Sequence, residues 1–204
     1  MNVLPFLQQP GAATILVLTL AFSVTGLLWF PGLIERCVLR PYWLVRRGQW
    51  HTLVSSGLVH ADFGHLLLNM LTFWFFAFQL ERAIGTPRFV LLYVLALVAS
   101  DVNTFLKHRN EPEYGSLGAS GAIAAVLFAS IVYYPNQSLF ILPIPVPIPA
   151  PLFALGYVAY SWYSARQARG RINHDAHLGG ALFGLLFVAL TEPSAFRGLA
   201  ALLS

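Results

Sequence analysis

Gly118-Ala119-Ser120-Gly121-Ala122-Ile123-Ala124-Ala125-Val126-Leu127-Phe128-Ala129-Ser130-Ile131-Val132 is a run of apolar and small residues that carries no charge and has a hydroxyl at its head. A run of this kind reads as a membrane-spanning helix. Gly118, Gly121, Ala122, Ala124 and Ala125 in its first turns would let a neighbouring helix approach closely. Ser120 taken alone fits a packing residue, because a helical serine can bond its own i−4 carbonyl. At a helix N-terminus it also stands among free backbone N–H groups, at the positive end of the macrodipole, where an oxyanion would be stabilised.

A second apolar run opens with Ala176-His177 and carries Gly180 and Gly184. His177, Gly180 and Gly184 are spaced i, i+3 and i+7, so an imidazole stands above a groove of two glycines on one helix face. Both runs start with their polar residue. Two spans separated by one other run parallel, so Ser120 and His177 fall at similar depth on the same side. That pairing suits a nucleophile and its base. The plain alternative for a lone membrane histidine is packing or hydrogen bonding.

The rest of the chain agrees with a membrane protein. Of 204 residues, 57% are hydrophobic and 10% charged, against about 25% charged in a soluble domain. Mean hydropathy is +0.68. Six spans are expected near 12–31, 63–81, 88–107, 117–134, 150–165 and 176–191. The first lacks the basic flank of a signal peptide and reads as a retained helix. No two spans repeat each other, which argues against a transporter. The net charge of +4 falls in short loops between apolar runs, which fits contact with anionic membrane lipids better than nucleic-acid binding, and no nucleic-acid partner is expected. Cys37 is alone, so neither an internal disulfide nor a cysteine metal cluster can form.

The connections carry signals of their own. Residues 32–62 hold Tyr42, Trp43 and Trp50 among Arg36, Arg40, Arg46 and Arg47, a mixture suited to the headgroup layer or to a lateral wall. Pro143, Pro145, Pro147, Pro149 and Pro151 alternate with apolar residues. Proline excludes helix and central strand there, and an extended polyproline-like connector is expected. Nine basic residues (Arg36, Arg40, Arg46, Arg47, Lys107, Arg109, Arg166, Arg169 and Arg171) fall in the first, third and fifth connections. By the positive-inside rule both termini then lie outside the cytoplasm.

Asp175 lies two residues before His177, and positions i and i+2 do not face each other on a helix. It is expected to cap the sixth helix rather than complete a triad. His60-Ala61-Asp62-Phe63-Gly64-His65 opens the second span, which continues to Asn69. His65 and Asn69 share a face, and Asp62 can cap. These residues suit interhelical hydrogen bonding or oxyanion support. A metal site is disfavoured, since no HExxH pair occurs and acidic ligands are nearly absent from the spans.

Three elements together, GASG at 118–121, AHLGGALFG at 176–184 and HADFGHLLLN at 60–69, make the chain resemble the rhomboid family of intramembrane serine proteases. The resemblance covers nearly the whole chain. It implies an all-α, polytopic membrane protein, a six-transmembrane-helix bundle forming one domain over 1–204. It implies a Ser120–His177 catalytic dyad. It also implies that His65 and Asn69 help the Ser120 N–H form the oxyanion hole, and that Gly118 is the glycine of the GxSG motif. No cofactor or metal is expected. The family's cytoplasmic termini disagree with the arginine count. Many members carry a tyrosine four residues after the nucleophile, stacked on the histidine; here that residue is Ala124.

The expected function is an intramembrane serine endopeptidase acting on transmembrane protein substrates, in a prokaryotic cell membrane. The alternative is a catalytically weak or inactive rhomboid-like protein that binds transmembrane clients.

Overall fold

The computed structural model describes residues 8–141, 144–167 and 172–202. Pro143, Arg169 and Arg171 of the readings above lie outside the described residues. Helices form at all six expected positions: α1 (Pro10–Leu28), α2 (Phe63–Ile84), α3 (Thr86–Ser100, continued after Asp101 by Val102–His108), α4 (Ser120–Tyr133), α5 (Ala150–Gln167) and α6 (His174–Thr191). Among the described residues four of these, α1, α2, α3 with its continuation, and α6, are long and apolar enough to cross a membrane. The other two depart from the expectation for different reasons. α4 has 14 residues, roughly 21 Å of rise against a hydrocarbon layer of about 30 Å. α5 is long enough but is diluted by Tyr157, Tyr160, Trp162, Tyr163 and Arg166.

α4 is the centre of the molecule. Every residue from Gly121 to Val132 is buried. Its apolar side chains join one cluster with α1, α2, α3 and α6 that includes Phe73, Phe89, Leu92 and Phe187. Through Leu127, Phe128 and Ile131 it joins a second cluster with Ala150 of α5 and Ala181 of α6. A short helix is tolerated because protein rather than lipid surrounds it. The outer helices present apolar residues outward, Leu67, Leu68, Phe75 and Leu190 among them, which suits a hydrocarbon solvent.

The α4–α6 contact rests on missing side chains. A Cβ at Gly180 would overlap the Gly121 carbonyl, and one at Gly184 would overlap Ala125. The Gly-x-x-x-Gly spacing on α6 thus lets two backbones meet. At the other end of the bundle, the buried Glu81 carboxylate of α2 accepts hydrogen bonds from Gly11 N–H (3.0 Å), Ala12 N–H (2.6 Å) and the Thr86 hydroxyl (2.6 Å). It caps α1 from another helix, satisfying donors that Pro10 at the helix start leaves open.

The connection from α1 to α2 is structured. It contains short helices Pro31–Cys37, Pro41–Arg46 and Thr52–Ser55 and a 3-10 turn at Ser56–Leu58. Arg46 lies 3.9 Å over the Tyr42 ring and Arg47 3.7 Å over the Trp43 ring, an arrangement suited to an interfacial layer. Leu39 pairs with Ser116 through two backbone hydrogen bonds of 2.9 Å, tying this connection to the loop that precedes Ser120.

The proline segment corrects the expectation of a polyproline-like connector. Strand β1 (Ser138–Ile141) pairs antiparallel with β2 (Ile144–Pro149), in the register Ser138↔Pro149, Leu139↔Ile148 and Phe140↔Pro147. In a two-stranded ribbon each strand has one open edge, and alternate residues turn their N–H groups to it. With the Ala150 N–H turned to the Gln137 carbonyl, Pro147 and Pro149 face the open side, where a missing N–H loses nothing. β2 leads directly into α5, and the Ala150 N–H donates to the Gln137 carbonyl.

Candidate active site

Ser120 is the first residue of α4. The chain reaches it through Gly118, whose φ of +108° is a conformation that favours glycine. The missing side chain at Gly118 matters twice, because the space a Cβ would fill is taken by the His65 ring. The Gly118 N–H donates to the Ser56 carbonyl at 2.9 Å, so what Gly118 offers its surroundings is room for the His65 ring rather than a free donor. The Ile123 N–H is bonded to the Ala119 carbonyl. The N–H groups ahead of it, that of Ser120 included, have no carbonyl one turn back to accept them.

His177 lies in the first turn of α6. Gly121, next in sequence to Ser120, packs against the backbone of Gly180, and a Cβ placed on it would stand 3.2 Å from the Ala176 carbonyl. The nucleophile candidate is therefore set against the one turn of α6 that carries His177. Both side chains are partly exposed. Among the described residues the Ser120 hydroxyl makes no hydrogen bond to His177; what relates the two is the packing of Gly121 on Gly180 and Ala176. The imidazole is met by two rings, Tyr157 of α5 nearly parallel (centroids 6.2 Å, 20°) and His174 edge-on (5.9 Å, 77°).

The second-span residues gather on the same side. Asp62 caps α2, accepting from the His65 N–H at 2.8 Å, as expected. His65 meets His60 edge-on at 4.8 Å, and His60 is held by the Ser23 hydroxyl at 3.0 Å. The buried Asn69 amide donates to the His65 carbonyl at 3.0 Å, leaving one amide hydrogen for another acceptor.

Asp175 is not the cap of α6. Asn173 holds that place, accepting from the Ala176 N–H at 3.0 Å, and Asp175 turns away to Lys107 at 2.8 Å. The Asn173 amide also donates to Ser116 (3.0 Å) and Thr104 (2.9 Å). It ties the start of α6 to the loop before Ser120 and to the end of α3. In that loop the Tyr114 ring stacks on His108 at 3.6 Å. Burial, with smaller contributions from Asp101, Asp175 and Glu111, pushes its hydroxyl up to about 12, so it stays neutral. Sequence reasoning missed Asn173 and Tyr157. An asparagine three residues before Ala176 was a readable cap signal; the approach of Tyr157 to His177 has no sequence signal. Among the described residues no cluster of His, Cys, Asp or Glu could hold a metal ion.

The family model described as Rhomboid domain matches residues 47–193. Similar proteins include the RHOMBOID-like protein 12, mitochondrial, of Arabidopsis thaliana, 29% identical over 74% of this chain and 49% of its own length. Rhomboid protein 1, mitochondrial, of Saccharomyces cerevisiae is 30% identical over 67% of this chain and 40% of its own. YdcA of Bacillus subtilis is 40% identical over 46% of this chain and 47% of its own. The chain thus spans about half, or less, of the length of these relatives.

Proposed function

Because this chain belongs to the rhomboid family, we propose that it is an intramembrane serine endopeptidase that cuts transmembrane segments of other membrane proteins. Ser120 is the nucleophile and His177 the general base. The observation that carries this reading is the contact of Gly121 with Gly180. It fixes the head of a short, protein-sheltered helix against the turn that bears the histidine. In this reading all six helices form one membrane-embedded bundle, with α4 reaching through only part of its thickness.

A transmembrane substrate enters laterally and unwinds locally, since a helical backbone hides its carbonyls. The Ser120 hydroxyl oxygen attacks the scissile carbonyl carbon while His177 accepts its proton. The oxyanion is met by the Ser120 N–H, with the Asn69 amide and the His65 ring beside it. The C–N bond breaks as His177 returns the proton to the leaving amine. Water then attacks the acyl ester, gives a proton to His177, and the proton passes to Ser120 as the ester bond breaks. No step calls for a cofactor.

Reconstituted protein should cleave a transmembrane substrate, and Ser120→Ala should not; equal cleavage by both sinks the proposal. A second reading, a non-cleaving protein that retains transmembrane clients, is favoured by Ala124, which offers no ring to His177 from α4. A fluorophosphonate probe separates the two, since only the enzyme labels in a Ser120-dependent way.

The mitochondrial names of two relatives count against the expected prokaryotic cell membrane, and the Bacillus relative favours it. Fractionation of the native cell decides.

A further inference from the structure

The imidazole of a two-residue site has no carboxylate to hold it, so its plane must be set by packing. Along one face of α4 run Ser120, Ala124 and Phe128, at successive turns. Ala124 is buried and has no ring to offer. The ring comes instead from α5. Tyr157 lies nearly parallel to His177 at 6.2 Å, within the range of offset-stacked aromatic pairs. It is itself held by Phe128 of α4 (5.4 Å, 58°) and by Phe153 one turn earlier on α5 (5.8 Å, 35°). Three aromatic residues from two helices thus form a bracket whose inner ring meets the base. Its anchorage is light: along α5 only Ala150 and Ser161 are fully buried, while Leu152 and Leu155 are 61% and 72% exposed.

We propose that Tyr157 is the positioning residue for His177, its ring fixing the plane of the imidazole from α5 in the place that Ala124 leaves without an aromatic. The proposal rests on the protease reading. It makes the orientation of the base depend on α5 lying against α4 and α6. The phenolic oxygen is incidental to this role; the ring is essential. Stacking leaves substrate affinity alone, because it acts on the rate at which Ser120 is deprotonated.

The test compares wild type with Tyr157→Phe, Tyr157→Leu and Ser120→Ala in proteoliposomes, following the rate of fluorophosphonate labelling and kcat and KM on a transmembrane substrate. The phenylalanine variant should stay within about twofold of wild type. The leucine variant should lose about 3- to 10-fold in labelling rate and in kcat, with KM within about twofold of wild type. Leucine equal to wild type, equal losses in both variants, or a change in KM alone overturns the proposal. Should the leucine variant not fold, Tyr157→Met fills the space without a ring and carries the same expectations. If neither folds while phenylalanine does, the ring is structural and the proposal falls. An active wild type beside an equally active leucine variant overturns this proposal alone. A wild type that neither labels nor cleaves overturns the protease reading, and this proposal with it.

Discussion

The Glu81 carboxylate accepts the backbone N–H of Ala12 at 2.6 Å, so the first turn of α1 is capped by a side chain 69 residues away in sequence. Because Glu81 also serves Gly11 and Thr86, its removal leaves two buried donors and one partly buried donor without their acceptor. Glu81→Ala should destabilise the fold by about 2–3 kcal/mol, and Glu81→Gln, which keeps one acceptor oxygen, by less. Thermal unfolding of the detergent-solubilised protein checks the order; equal midpoints for wild type and alanine would show that the cap carries no weight.

The α4–α6 interface has no room for a methyl at Gly180, where a Cβ meets the Gly121 carbonyl. Gly180→Val should cost about 1–3 kcal/mol or more by overpacking and should abolish probe labelling by separating Ser120 from His177. Gly156 of α5 is the control, with nothing within 4 Å of an added Cβ. Gly156→Ala should unfold and label like wild type.

Asp175 tests the proposal of a two-residue site. Its partner is Lys107, and the side chains are 22% and 39% exposed, so the pair contributes at most about 1 kcal/mol. Asp175→Asn should label at a rate within about twofold of wild type, whereas the acid of a triad would cost about 10⁴-fold. A loss of that size in the labelling assay would restore Asp175 to the mechanism.

Asn173 should be more sensitive than Asp175 despite lying farther from the chemistry in sequence. Asn173→Asp keeps the acceptor for the Ala176 N–H but loses the donors to Ser116 and Thr104. Asn173→Ala loses the cap as well, about 1 kcal/mol more. Unfolding midpoints in the order wild type, aspartate, alanine are expected; an unchanged alanine variant would remove Asn173 as a tie.

Orientation is decided by a reporter active only in the cytoplasm, fused at the C-terminus. Activity matches the family topology and silence matches the arginine count. Ser120, His177 and His65 lie at the end of the bundle that carries Arg46, Lys107 and Arg109, so one reading of the reporter places the site as well.

Much of this was legible in the chain because the signals were local. Apolar length located the six helices, small residues marked α4 and α6 as partners, and Asp62 announced its own cap. The failures have common physical causes. Alternating proline argues only against a central strand, and both strands of a ribbon are edges. Asp175 draws the cap reading through its nearness to His177, and Asn173 is passed over; three-dimensional neighbours, Lys107 for one and Ser116 and Thr104 for the other, separate their roles. Tyr157 stood in an aromatic stretch that reads as ordinary lipid-facing surface, and its approach to His177 depends on how α5 leans on the bundle.

The sheltering of α4 has a further consequence. Bilayers of different thickness act on helices that touch lipid, which answer by tilting or by thinning the membrane around them. Gly121 to Val132 have no such contact. Hydrophobic mismatch is thus borne by the outer helices, and the depth of Ser120 is set by its protein neighbours, so this hydroxyl keeps its level in a thin membrane and in a thick one.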